Sequence, residues 1–176
     1  MFDKKYALEA LDLLWDNHSG LMRHVDPIEM SEDRIEDLRR AKTTLRTVDL
    51  ALRLAIMGEF VAAWCLWEYF AGQVCTGFAK CPARHKQESF PTWVARTYQA
   101  NGHTFADAAW FDDAVALRNL VAHNGGRVDA TNRPKFERAC RAFHRISEDG
   151  DGYITLHASE LGRVNNMIEW FLQSAP

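Results

Sequence analysis

A short run late in the chain brings together two residue types that can bind a phosphate and move a proton. An arginine is followed directly by a polar residue and, five positions on, by a histidine; the run reads Arg118-Asn119-Leu120-Val121-Ala122-His123. The guanidinium is a planar, permanently charged fork that can donate to two phosphate oxygens. An imidazole can both accept and donate a proton, so this residue type can act as a general acid or base. The alternative interpretation is a charged helix face whose terminal histidine interacts with the helix dipole.

The elements that would position this motif are helices. Apolar residues recur at steps of three and four almost throughout, and period-two alternation never lasts more than a few residues, which predicts an all-α fold. We expect a single domain over residues 1–176, built as a bundle of four or five main helices with short extra helices. Residues 1–58 form its N-terminal helices.

Several predicted helices have recognisable ends. Ser31 is a predicted N-cap, Pro134 falls in a first turn after an Asn132 or Thr131 N-cap, and Gly125 is a predicted C-cap. The predicted helices span about residues 3–17, Ser31 to Met57-Gly58, 60–78, 91–100, and 104 or 105 to 123. A further helix follows residue 132, with Phe136, Cys140, Phe143 and Ser147 on its inward side, and a short extended piece lies at 153–156. The last helix has Leu161, Val164, Ile168 and Phe171 on its inward side.

The composition is that of a globular protein with a mild negative charge. Of 176 residues, 47% are hydrophobic and 26% charged, and the net charge is −3. That charge argues against binding nucleic acid by bulk electrostatics, but six basic residues against two acidic ones between 127 and 145 allow a local phosphate-binding face. The N-terminus lacks the order of a signal peptide, and Glu59 and Glu68 interrupt the most apolar stretch. We therefore expect a cytoplasmic protein without a membrane span.

Two segments imitate metal sites but lack the required ligands. Residues 149–152 resemble a calcium loop, yet the register puts Ala158 where the closing carboxylate belongs. Cys75, Cys81 and His85 offer three zinc ligands where a structural site needs four. We expect no metal or cofactor, a turn at 149–152, core thiols at these two cysteines, and reduced cysteines throughout.

Glu68 interrupts the most apolar helix, where a lone carboxylate would be costly to bury. Two interpretations stay open: Glu68 lies at the solvent edge of its helix, or it is a partner for Arg118. In the second case Glu68 supports the motif from outside it, as Asn124 would do from the position after His123.

The motif resembles the signature of the HEPN superfamily (higher eukaryotes and prokaryotes nucleotide-binding domain), which is an arginine, usually a polar residue, and a histidine after four to six positions. The likeness extends to the helical bundle, to the core helix around residues 62–70, to the His-Asn-Gly-Gly turn, and to residues 154–156 before a final amphipathic helix. Residues 59–176 match best, and the chain is similar to bacterial members of the ribosomal-association and abortive-infection type. The resemblance implies metal-independent RNA cleavage by a toxin or antiphage effector, with Arg118, Asn119 and His123 as catalytic residues.

Such cleavage needs a base for the ribose 2′-hydroxyl, an acid for the leaving 5′-oxygen and positive charge at the phosphate. One motif has one histidine, and helical positions five apart lie about 140° apart around the axis. Either the last turn unwinds at the glycines, or motifs from two copies build one cleft. HEPN nucleases commonly take the second route, so we expect a homodimer. The RNA is expected to contact the basic residues after the motif: Arg127, Arg133, Lys135, Arg138 and Arg141.

A second function fits the same resemblance. Many HEPN domains are non-catalytic modules that bind RNA, a nucleotide or a partner protein. The intact Arg118 and His123 favour the nuclease, whereas the absence of a strongly basic surface favours the module. HEPN toxins often pair with an antitoxin protein, which no residue here identifies. A plain structural helical protein is the third alternative.

Overall fold

The structure is a computed structural model that describes residues 4–5, 7–13 and 42–176, with side chains from residue 53 onward in the last range. It is mostly helical with one two-stranded sheet, so the predicted all-α bundle is confirmed. Residues 4–5 and 7–13 are helical, within the predicted helix at 3–17. The remainder of that helix and the predicted N-cap at Ser31 lie outside the described residues.

One long helix, α1 (Lys42–Gly77), runs through the bundle and carries its core. Phe60, Trp64 and Trp67 are fully buried, at the steps of four and three that put side chains on one face. The predicted break at Met57-Gly58 is wrong, because the helix continues through it. A lone glycine costs a helix only about 1 kcal/mol relative to alanine, and burial of each large side chain that follows contributes roughly 2 kcal/mol or more.

The later elements surround α1. They are α2 (Phe90–Ala100), α3 (Ala108–Asn124), α4 (Arg133–Ala142), the antiparallel strands β1 (Ile146–Glu148) and β2 (Ile154–Leu156), and α5 (Ala158–Ser174). Helices α2, α3 and α5 pack against α1, whereas α4 packs on α3. At the centre, the ring of Trp67 lies 4.5 Å from that of Phe111 on α3 and 5.9 Å from that of Phe171 on α5, between centroids. The aromatic core therefore holds the motif helix α3 against α1 and α5.

The ends of α2 and the inward face of α5 agree with the sequence predictions. The Ser89 hydroxyl accepts the backbone N–H of Thr92 at 3.2 Å and caps α2, which has Pro91 in its first turn. Asn101 follows its last residue. The predicted inward residues of α5 are all buried: Leu161, Val164, Ile168 and Phe171.

Helix α3, which carries the motif, begins later than predicted. The predicted start at 104 or 105 is wrong, because Asp107 has a left-handed φ of 54° and separates Phe105 from the helix. Phe105 is buried in the segment before the helix, 5.1 Å from Phe111 between ring centroids. The other end agrees with the prediction, since Gly125 follows the last residue with a φ of 58°.

Helix α4 is shorter than its apolar pattern indicated. Its chain turns to an extended conformation at Phe143, and Ser147 lies exposed in β1, a strand that the sequence analysis missed. Cys140 is also exposed, so its predicted inward position and that of Ser147 are wrong. Asn132 precedes α4 as predicted but makes no capping hydrogen bond. Its side chain instead accepts the Asp129 N–H and donates to the Arg127 carbonyl, which braces the loop after the motif.

Residues 153–156 were predicted as extended, and β2 confirms this. The turn before it is held by Asp149, whose carboxylate accepts the backbone N–H groups of Asp151 and Tyr153. The same carboxylate pairs with Arg53 of α1, which ties the hairpin to the long helix. The predicted turn at 149–152 is therefore a hairpin loop.

One stretch of α1, Arg53–Gly77, is long and apolar enough to cross a membrane by length and composition, with a mean hydropathy of 1.3. Its largest aromatic side chains, Trp64 and Trp67, are fully buried against other elements of the bundle. This is the burial expected of a core helix rather than of a lipid-facing one. The cytoplasmic location stays a prediction.

Substitution of Gly58 tests whether α1 continues through this residue, and substitution of Gly125, after α3, provides the contrast. A methyl group added at Gly58 would meet no atom within 4 Å, so Gly58→Ala should raise the free energy of unfolding by roughly 0.5 to 1 kcal/mol in urea titrations. Gly125→Ala should lower it, because φ is +58° there. A loss of stability in Gly58→Ala would show that α1 is broken at this residue.

Candidate functional site

The motif arginine is held by a carboxylate from the core helix. Arg118 lies on α3, and its Nη2 donates to Glu68 Oε2 of α1 at 3.4 Å. Both side chains are about one quarter exposed, at 25% and 24%. Of the two interpretations of Glu68, the partner of Arg118 is therefore the one that the structure supports.

Glu68 is itself fixed by the core. Its other oxygen, Oε1, accepts the indole N–H of Trp64 at 3.1 Å, and Trp64 is fully buried one turn earlier on α1. Arg118 Nη1 donates to Asn119 Oδ1 at 3.2 Å, while its Nε is buried without a hydrogen bond among the described residues. A chain of polar contacts thus runs from the core through Glu68 to Arg118 and Asn119, and Asn119 positions the arginine.

His123 and Asn124 lie at the exposed end of α3. The next two residues, Gly125 and Gly126, have left-handed φ angles, and both of their N–H groups donate to the Leu120 carbonyl. These bonds close the helix after Asn124. Within the described part of the chain, the His123 ring has no hydrogen bond or ion pair, so it faces solvent beside the helix C-terminus, where a positive charge is favoured.

The helix stays intact across the whole motif. The first of the two alternatives from the sequence, unwinding of the last turn at the glycines, is therefore wrong. On a regular helix Arg118 and His123 are about 140° apart around the axis and about 7.5 Å apart along it. Arg118 contacts Glu68 of α1, whereas His123 is exposed at the end of α3.

Two arginines of the predicted RNA-contacting row are bound to carboxylates of the motif helix. Arg138 donates to Asp112 Oδ2 at 2.7 Å and also reaches Asp113, and Arg141 donates to both oxygens of Asp113 at 2.8 and 2.6 Å. Hydrogen bonding from Arg141 holds the pKa of Asp113 below its ordinary value. These pairs join α4 to α3.

The remaining members of the row differ in how they are engaged. Arg133 donates two hydrogen bonds to Glu148 of β1, and its pKa is raised mainly by those bonds. Arg127 and Lys135 are exposed, and the described residues offer neither of them a hydrogen bond or ion pair through the side chain. Only Arg127 and Lys135, of the predicted row, are thus uncommitted to other described residues.

The acidic partners Asp112, Asp113 and Glu148 were not identified from the sequence. A signal for the first two was present, since a pair of adjacent acidic residues on one helix precedes a basic helix across a short glycine-containing turn. No comparable signal exists for Glu148, because β1 itself was missed. Sequence reasoning also did not identify Trp64 as the group that positions Glu68.

The four cysteines form no disulfide in the structure. Cys75 is buried, and burial raises its pKa to about 12. Cys81 is exposed, because α1 ends at Gly77 and the chain then runs over the surface; its predicted place as a core thiol is wrong. No group of three or more His, Cys, Asp or Glu side chains within the described ranges is placed to hold a metal ion.

Comparisons with family models, with curated proteins and with solved structures found no match to this chain. The resemblance to the HEPN superfamily therefore rests on the motif and on the helical architecture around it.

The support of Arg118 by Glu68 can be tested through stability. Glu68→Ala removes the acceptor of the buried Trp64 N–H and the counter-charge of Arg118, so it should lower the free energy of unfolding by roughly 1 to 3 kcal/mol. Urea unfolding measures this. Glu137→Ala, at an exposed position on α4, should change stability by less than about 0.5 kcal/mol. Equal losses in the two variants would contradict a structural role for Glu68.

The junction of α3 and α4 should depend on pH through Asp113. Because its pKa is lowered in the folded state, its stabilisation is present above the ordinary Asp pKa and is lost as pH falls through the lower folded value. Asp113→Asn should therefore cost roughly 1 kcal/mol at neutral pH, and the difference should vanish in acid. Asp151→Asn, in the exposed hairpin loop, is the control. A penalty for Asp113→Asn that stays constant with pH would contradict the ion pair.

Proposed function

We propose that this protein is a HEPN-type endoribonuclease that cleaves RNA without a metal ion and acts as a toxin or antiphage effector. The observation that carries the proposal is the exposed imidazole of His123, which has no partner among the described residues and lies on the same helix as the partly buried guanidinium of Arg118. An imidazole can accept and donate a proton, and a guanidinium can hold phosphate oxygens.

In the proposed reaction, the ribose 2′-oxygen attacks the adjacent phosphorus while a base takes its proton. The bond from phosphorus to the 5′-oxygen breaks, and an acid protonates that oxygen. The products are a 2′,3′-cyclic phosphate and a free 5′-hydroxyl. His123 serves in proton transfer and Arg118 stabilises the added charge on the phosphate, with Asn119 orienting the guanidinium.

Two copies of the chain build the proposed site. The intact helix separates Arg118 from His123 by about 140°, and each copy has one motif histidine where the reaction uses both an acid and a base. In a homodimer whose two copies face each other at the C-terminal end of α3, one groove contains two copies of Arg118 and two of His123. Such a toxin would be paired with an antitoxin protein.

Fewer basic residues are available to bind RNA than the sequence indicated. Arg133, Arg138 and Arg141 are paired with carboxylates, so the proposed backbone contacts are Arg127 and Lys135. Each phosphate contact to single-stranded RNA contributes about 0.7 to the slope of log affinity against log salt. Binding by one copy should therefore depend weakly on salt.

The pairing of those arginines also favours the second candidate, a non-catalytic HEPN module that binds RNA, a nucleotide or a partner protein. With three basic side chains neutralised and a net charge of −3, attraction of RNA to the whole surface is weak. In this alternative Arg118 and His123 bind a ligand but transfer no proton.

Cleavage of labelled RNA in the presence of a chelator distinguishes the two candidates. The wild type should produce cyclic 2′,3′-phosphate ends, and His123→Ala should lower the rate at least about 100-fold, because a general acid or base typically contributes that much. His144→Ala, at an exposed histidine outside the motif, is the matched control and should cleave like the wild type.

Intact RNA that is nevertheless bound by the wild type would overturn the nuclease proposal and support the module. Cleavage that survives in His123→Ala would also overturn it, because the activity would then come from another site or from a contaminant.

A further inference from the structure

Tyr153 and Arg127 face each other beside the motif. They form an antiparallel bridge between the loop after α3 and the start of β2. The flanking backbone bonds run from Val128 N–H to the Gly152 carbonyl at 2.7 Å and from Ile154 N–H to the Gly126 carbonyl at 2.9 Å. This pattern defines a non-hydrogen-bonded pair, the type with the closest approach, about 4.5 Å between Cα atoms. The two side chains therefore leave the backbone on the same face.

Both side chains of the pair are available to a ligand. Tyr153 is 44% exposed, one of few large hydrophobic residues with this exposure among the described residues. In the part of the chain that the structure describes, no ring or guanidinium stacks on it, whereas Arg84 and Arg133 each lie 5.7 Å from a phenylalanine ring centroid. Arg127 is exposed and makes no side-chain ion pair there.

The backbone holds the pair in place. Two hydrogen bonds join Tyr153 to Asp149. The Tyr153 backbone N–H donates to the Asp149 carboxylate at 2.8 Å, and the Asp149 backbone N–H donates to the Tyr153 carbonyl at 2.9 Å. Gly152 has a φ of +83°, and a Cβ there would lie 3.3 Å from the Val128 carbonyl oxygen. The hairpin can approach the loop this closely because residue 152 is a glycine. The ring of Tyr153 thus projects from an anchored backbone.

The pair is next to the motif. Arg127 N–H donates to the Asn124 carbonyl at 3.0 Å, which makes a four-residue turn with Cα atoms of Asn124 and Arg127 less than about 7 Å apart. Asn124 directly follows His123. A nucleotide that contacts the pair would therefore lie within one or two nucleotides of a phosphate at His123.

We propose that Arg127 and Tyr153 form a nucleotide-binding subsite that selects single-stranded RNA, with an unpaired base stacked on Tyr153 and its phosphate bound by Arg127. Exposed aromatic rings bind bases that are free of their neighbours, and duplex RNA does not offer such bases. The proposal rests on the proposed function for its RNA ligand and adds the substrate class. An exposed tyrosine and arginine are also enriched where proteins bind one another, so self-association is measured as well.

The test is fluorescence anisotropy with a labelled single-stranded 12-nucleotide RNA, the matching duplex, and the same strand with abasic sites. All proteins carry His123→Ala, so that the RNA stays intact. Tyr153→Ala should weaken single-strand binding about tenfold, within the range for loss of one stacked base, and Tyr153→Phe should retain it. Duplex and abasic binding should be unchanged by Tyr153→Ala. Tyr69→Ala, at an exposed tyrosine of α1, is the matched control.

The subsite would be overturned if Tyr153→Ala bound single-stranded RNA as tightly as the parent protein, or if its loss of affinity were equally large for duplex or abasic RNA. An equally large loss of affinity in Tyr69→Ala, or no RNA binding by the parent protein, would also overturn it. So would a loss of self-association of Tyr153→Ala in sedimentation. The proposed nuclease is judged separately, by His123-dependent cleavage. If the wild type cleaves RNA and Tyr153→Ala does not change RNA binding, only the subsite proposal is rejected. If binding depends on Tyr153 but the wild type does not cleave RNA, only the nuclease proposal is rejected.

Discussion

The continuity of α3 through His123 is the constraint on which the account of the site depends. Gly125 and Gly126 terminate the helix only after the motif, because their N–H groups both reach the Leu120 carbonyl. Arg118 and His123 are therefore held on different sides of one rigid helix. Arg118 faces α1, where Glu68 meets it, and His123 faces the solvent near Arg127 and the hairpin. In the proposed site, a second copy brings both kinds of group to a single phosphate.

Carboxylates determine which basic residues remain available to a ligand. Glu68 takes part of the hydrogen-bonding capacity of Arg118, while Asp112, Asp113 and Glu148 pair with arginines that the sequence analysis assigned to RNA. These ion pairs join α4 and β1 to neighbouring elements, so their role is to stabilise the fold. Arg127 and Tyr153 lie close to the end of α3, which concentrates the proposed recognition of RNA beside the motif.

Much of the architecture could be predicted because it follows from local spacing. The inward face of α5 follows from the period of its apolar residues, and the end of α3 follows from a glycine that tolerates a left-handed φ. Gly58 shows the limit of such reasoning, because the packing of later residues outweighs a local helix breaker. Strand β1 was missed for a similar reason, since the pairing with β2 is a tertiary contact.

The candidate site was predictable in its residues but not in its contacts. The motif is contiguous, so its residue types can be read directly, whereas the bond between Glu68 and Arg118 joins residues 50 positions apart. Which of several cations meets which carboxylate depends on how α4 lies on α3. The pairing of Arg127 with Tyr153 depends likewise on the docking of the hairpin against the loop.

The proposed sharing of one site between two copies can be tested most directly by subunit mixing. Wild type and His123→Ala are unfolded together, refolded at graded ratios, and assayed for RNA cleavage. If two motifs build one site, activity falls as the square of the wild-type fraction, to about a quarter at equal amounts. A linear fall, to about half at equal amounts, would contradict the account, because each chain would then cleave RNA alone.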